Sequence, residues 1–99
     1  MNERETLVVM LQELLREMDM VQSQGAGYYT CSPFARRFNK LLGAGRTLES
    51  KSTIINTFET IDEEDPKDPA DKSKMLLGIR IEIGQLITLL ESLKEGTET

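Results

Sequence analysis

The C-terminal third of the chain carries a hydrophobic repeat that constrains the fold more than any other feature. Asp68 and Pro69 supply an N-cap and a first helical residue, and Gly96 supplies a stop. Between them, apolar residues recur at intervals of three and four positions, which places them on one face of an α-helix. The spacing predicts one long helix over residues 68–95. Its seam consists of Leu76, Ile79, Ile83, Leu86, Leu90 and Leu93.

A short part of this region also resembles a β-strand. Residues 78–84 alternate between apolar and other residues and are bounded by glycines. We favour a continuous helix because the helical repeat runs through this stretch without interruption. No other stretch of the chain offers a convincing partner strand, and a single strand is not stable alone.

The predicted long helix has a second, narrower apolar stripe. A helix that is apolar on two faces is either central in its bundle or shared with another chain. Because helix 33–42 is much shorter than helix 68–95, we expect part of the long helix to be shared. The sequence therefore predicts a homodimer whose interface involves the long helix and the first helix, with Leu77, Ile81, Gly84 and Thr88 at the interface.

Three shorter helices are predicted ahead of the long one, over residues 3–22, 33–42 and 47–61. Each has apolar residues at helical spacing, and the triplet Gly43-Ala44-Gly45 is expected to end the second helix. Residues 1–99 are thus interpreted as a single all-α domain. Its architecture is a four-helix bundle-like fold with a long C-terminal helix.

Composition narrows the range of functions. The 99 residues carry a net charge of −5, contain no histidine and include one cysteine. Without histidine, the commonest general base and a set of nitrogen and sulfur ligands for zinc are both missing. No apolar run is long enough for a bilayer, and no signal peptide is apparent. We therefore expect an acidic cytoplasmic protein with no metal, no cofactor and no membrane contact.

Charge is distributed unevenly along the chain. Residues 25–53 contain five basic residues against Glu49 alone, a local net charge of +4 in an otherwise acidic protein. Two adjacent tyrosines precede the second helix and could extend a docking surface. The sequence favours a non-enzymatic interaction or scaffold protein that binds an acidic protein partner through this segment. The residues assigned to binding are Tyr28, Tyr29, Arg36, Arg37, Lys40, Arg46 and Lys51.

The alternative is a nucleic-acid-binding regulator. The second and third predicted helices, joined by a short glycine-rich turn, have the outline of a helix-turn-helix. Arg46 and Lys51 would then lie at the start of the reading helix, while Arg36, Arg37 and Lys40 could contact phosphates. The net negative charge of the chain argues against this alternative unless a dimer concentrates its basic residues.

An enzymatic function is the least favoured. Cys31 and Arg37 have the spacing of a cysteine phosphatase, in which a thiolate attacks phosphorus and an arginine holds the oxyanion. Pro33 and Phe34 are unsuited to a phosphate-binding loop, and the expected parallel sheet is missing. The six carboxylates of residues 62–71 lack the spacing and glycine of a calcium loop, and we expect a solvated connection there.

Overall fold

The computed structural model describes residues 1–24 and 30–97, with side chains as far as residue 93. It contains three α-helices: α1 (Glu3–Gln22), α2 (Ser32–Leu48) and α3 (Pro69–Thr97). A short 3₁₀ turn, Ile55–Thr57, lies between α2 and α3. No β-strand occurs in residues 1–24 or 30–97. The protein is therefore all-α.

The long C-terminal helix is confirmed. The Asp68 carboxylate accepts a hydrogen bond of 2.9 Å from the Ala70 backbone amide, and Pro69 is the first helical residue. Residues 78–84 are helical throughout, so the strand alternative is excluded. The helix ends at Thr97, two residues beyond the predicted end, which is the usual uncertainty of helix termini.

The first helix is also as predicted. Asn2 caps it, because its side-chain oxygen accepts a hydrogen bond of 2.8 Å from the Glu5 backbone amide. Acidic residues in the first turn suit the positive end of the helix dipole. The buried residues follow the apolar repeat: Leu7, Leu11, Leu14 and Met18.

The apolar stripes of the three helices meet in one core. α3 contributes the largest share, and all but the last residue of its predicted seam are completely buried. α1 packs against both other helices, and Ile55 of the 3₁₀ turn closes the core beside α2. The principal members are Leu7, Leu11, Leu14, Met18, Phe38, Leu41, Leu42, Ile55, Leu76, Ile79, Ile83, Leu86 and Leu90.

The predicted end of α2 is wrong. The helix continues through Gly43 and Gly45 to Leu48, and the Glu49 amide still bonds to the Gly45 carbonyl. Gly45 is buried, and a Cβ atom there would lie 3.2 Å from Ile55 Cδ1 and 3.5 Å from Leu7 Cδ2. A glycine at this position lets Ile55 and Leu7 pack against the helix backbone, so it marks a close contact and not a helix end.

The predicted helix over residues 47–61 is also wrong. Beyond Leu48, residues 49–68 form a segment without α-helix or β-strand, here called the strap, which contains a turn over residues 49–51 and the 3₁₀ turn. Short polar side chains bind the local backbone in place of helical hydrogen bonds: Ser52 Oγ accepts from the Ile55 amide, and Thr57 Oγ1 donates to the Ile54 carbonyl. The described chain is a three-helix domain with a strap, not the predicted four-helix bundle.

Candidate functional site

One polar face of α2 holds the strap in place. The Asn39 side chain makes two hydrogen bonds with the backbone of Ile61. Its amide nitrogen donates to the carbonyl, and its oxygen accepts from the amide, each at 2.8 Å. The same nitrogen lies 3.1 Å from Glu63 Oε2. Asn39 therefore satisfies both polar backbone groups of a strap residue that is half-buried.

Two of the predicted basic binding residues are engaged on the same face. Arg36 Nε lies 3.5 Å from Glu63 Oε1. The Arg46 guanidinium donates to the carbonyl of Phe58. Phe58 contacts Arg46 near the C-terminal end of α2, and Glu63 contacts Arg36 near its N-terminal end. The strap therefore runs antiparallel to α2. Part of the local positive charge is thus balanced within the chain.

Three of the other predicted binding residues are accessible at the surface. Arg37 and Lys40 are exposed on α2, and Lys51 is exposed on the strap. Arg37 borders a shallow groove that it shares with Glu13 and Glu17 of α1, so acidic side chains lie beside it. Tyr28 and Tyr29 lie outside the described residues.

The strap also caps the N-terminus of α2. Asp65 Oδ2 lies 3.0 Å from the backbone nitrogen of Cys31 and 3.5 Å from that of Ser32. A carboxylate is favoured at this positive end of the helix dipole. Asp65 Oδ1 lies 3.8 Å from Lys72 Nζ, which links the cap to the first turns of α3.

Cys31 is completely buried at this junction. Its Sγ lies 3.4 Å from the backbone carbonyl oxygen of Lys72. Burial raises the pKa of the Cys31 thiol, and the nearby Asp65 carboxylate raises it further, while Lys72 opposes them. The residues that follow, up to Arg37, form the first turns of a helix and not a phosphate-binding loop. This environment suits a packed thiol and disfavours a thiolate nucleophile.

The last surface is the side of α3 that faces away from the core. Leu77 is 57% exposed and Ile81 is 55% exposed, and they lie one helical turn apart. Gly84 and Thr88 continue the same line along the helix, where Gly84 is partly buried and Thr88 is exposed. A Cβ atom added at Gly84 would have no neighbour within 4 Å. All four residues predicted for the dimer interface thus lie on one accessible strip, here called the outer stripe.

A groove that the sequence did not reveal lies beside this stripe. It runs between the strap and α3 and is lined by Ile54, Phe58, Gln85, Thr88, Leu89 and Ser92. Ile54 is 59% exposed at its edge. The groove exists because residues 49–68 are not helical. The prediction of a helix over residues 47–61 therefore gave no indication of it.

The described residues include no cluster of three or more potential metal ligands. In the same part of the chain, no helix is both long and apolar enough to cross a membrane. No protein-family model, curated protein or solved structure matches the chain. Its own residues are therefore the basis for a functional assignment.

The strap contacts predict a contrast between two neighbouring substitutions. Asn39→Ala leaves the Ile61 amide and carbonyl without their partner, and we expect it to lower the free energy of unfolding by about 1–2 kcal/mol. Arg36→Ala removes an exposed ion pair and should lower it by less than about 1 kcal/mol. Urea unfolding of both variants measures the difference. A larger loss for Arg36→Ala would contradict this description of the strap.

The burial of Cys31 predicts low thiol reactivity. A thiol reagent such as dithiobis(nitrobenzoate) should modify the native protein at least roughly tenfold more slowly at pH 8 than the urea-unfolded protein. The unfolded chain is the control, and the single cysteine makes the absorbance change unambiguous. Equal rates in the native and unfolded chain would show that Cys31 is accessible, and would reopen a catalytic function for it.

Proposed function

We propose that this protein is a non-enzymatic interaction protein that forms a homodimer through the outer stripe of α3. The observation that carries the proposal is the exposure of Leu77 and Ile81 near the middle of the longest helix. Large aliphatic residues at adjacent turns of a helix create a continuous apolar strip, and such strips mark interaction surfaces. Gly84 adds a place where another backbone can approach closely.

The strength of the dimer can be bounded. Leu77 and Ile81 are each about half exposed, so burying the remainder contributes roughly 1 kcal/mol per side chain, or roughly 4 kcal/mol for the two chains together. A dissociation constant of 1 μM corresponds to about 8 kcal/mol. Residues that flank Leu77 and Ile81 must therefore contribute to binding. We expect a weak dimer that dissociates at protein concentrations below roughly 100 μM.

The basic segment has less support as a binding surface. Arg36 and Arg46 already contact the strap, so part of their charge and hydrogen-bonding capacity is used within the chain. The nucleic-acid alternative needed a reading helix within residues 47–61, and the strap lies there instead. The outer stripe exposes large apolar side chains that the described residues leave uncovered, which is why self-association is preferred.

Mass measurements over a concentration range test the proposal. Between about 10 μM and about 1 mM, light scattering should show the mass rising from 11.2 kDa towards twice that value. The double variant Leu77→Gln and Ile81→Gln should remain monomeric. It should also unfold at nearly the same urea concentration when dilute, because both side chains are exposed in the single chain.

Met20→Gln is the matched control. Met20 is as exposed as Leu77 and Ile81 but lies on α1, so this variant should dimerise like the original chain. An original chain that stays monomeric at the highest concentration would refute the proposal. Equal dimerisation of the double variant would refute it as well, because the interface would then lie elsewhere.

A further inference from the structure

The outer stripe is extended by a charged residue at each end. Lys74 precedes Leu77 by three positions, and Glu91 follows Thr88 by three positions. The complete series is Lys74, Leu77, Ile81, Gly84, Thr88 and Glu91, with intervals of three, four, three, four and three residues. This series of intervals reads the same in both directions. The side-chain types do not, because the larger apolar residues lie in the N-terminal half and the small ones in the C-terminal half.

From this pattern, and resting on the proposed dimer, we infer that two copies of α3 pair antiparallel. The two-fold axis passes midway between Ile81 and Gly84, at the height of the peptide bond between residues 82 and 83. In this register, Ile81 of one copy faces Gly84 of the second copy, and Leu77 faces Thr88 of the second copy. Each large residue thus meets a small one, which lets the facing side chains interdigitate. The two Gly84 residues lie on either side of the axis, and each leaves room for Ile81 of the second copy.

Charge supports the same orientation. Lys74 and Glu91 are both exposed, and neither takes part in an ion pair among the residues that the structure describes. Antiparallel pairing brings Lys74 of each copy beside Glu91 of the other. Parallel pairing would instead place lysine against lysine and glutamate against glutamate, and would face two glycines across an unfilled gap. The antiparallel arrangement is therefore the complementary one.

Two alanine substitutions test the register. Gly78 and Gly84 are both inside α3, and an added Cβ meets nothing within 4 Å at either position, so the single chain should tolerate both equally. Gly84→Ala fills the space that Ile81 of the second copy would occupy, and should raise the dissociation constant roughly tenfold. Gly78→Ala lies outside the stripe and should leave it nearly unchanged. Equal effects of the two substitutions would overturn the register.

Disulfide cross-linking tests the orientation separately. Lys74→Cys and Glu91→Cys variants are oxidised with diamide, alone and mixed, with the original chain as the control for Cys31. Like positions in an antiparallel pair lie about 25 Å apart along the axis, far beyond disulfide reach. Only the mixture should therefore form a covalent dimer.

The outcomes separate the inference from the proposed function. Cross-linking of either variant alone, without a further product in the mixture, means parallel helices and overturns the inference while the dimer stands. A chain that doubles in mass but gives no cross-link in any sample overturns the inferred pairing. An original chain without any mass increase overturns the proposed dimer and the inference together.

Discussion

One face of α3 is buried along most of its length, and the other elements are arranged around that face. Residues from Leu76 to Leu90 give this face five completely buried side chains. α1 and α2 cover it from the same side of the helix. Three helical stripes complete the core, so no fourth helix is required. None of the described residues covers the opposite side of α3, and the exposure of Leu77 and Ile81 follows from this arrangement.

Polar contacts, more than helical propensity, determine the conformation of the strap. Asn39 holds the backbone of Ile61, and Asp65 caps α2, so both ends of the acidic half of the strap are attached to the same helix. Ile55 provides the apolar anchor on the other side. The attachment has an electrostatic consequence, because Arg36 lies beside a carboxylate of the strap. The excess of positive charge in residues 25–53 is thereby reduced at the surface.

Sequence patterns predicted the parts of the fold that follow from local periodicity. The bounds of α1 and the course of α3 were correct because unbroken apolar repeats and capping residues lie in the sequence itself. Gly45 was wrongly predicted to end α2. A glycine is suited to this position because Ile55 and Leu7 pack against it in the fold, and no local sequence pattern shows these contacts. The apolar residues of 47–61 suggested a helix, but serines and threonines there bond to the local backbone. For the candidate site, the sequence pattern was enough to select the residues of the outer stripe and the basic residues. The contacts of Asn39 and Asp65 join residues that are more than 20 positions apart, so they became visible only in the structure.

Backbone chemical shifts in solution would show whether a three-helix core is closed by a non-helical strap. We expect helical Cα shifts over Glu3–Gln22, Ser32–Leu48 and residues 69–93. We expect no continuous helical shifts over residues 49–68, apart from the turn Ile55–Thr57. Amide exchange should be slowest in the buried turns of α3. A continuous run of helical shifts across residues 49–61 would overturn this fold, because the strap and its contacts with α2 could not then exist.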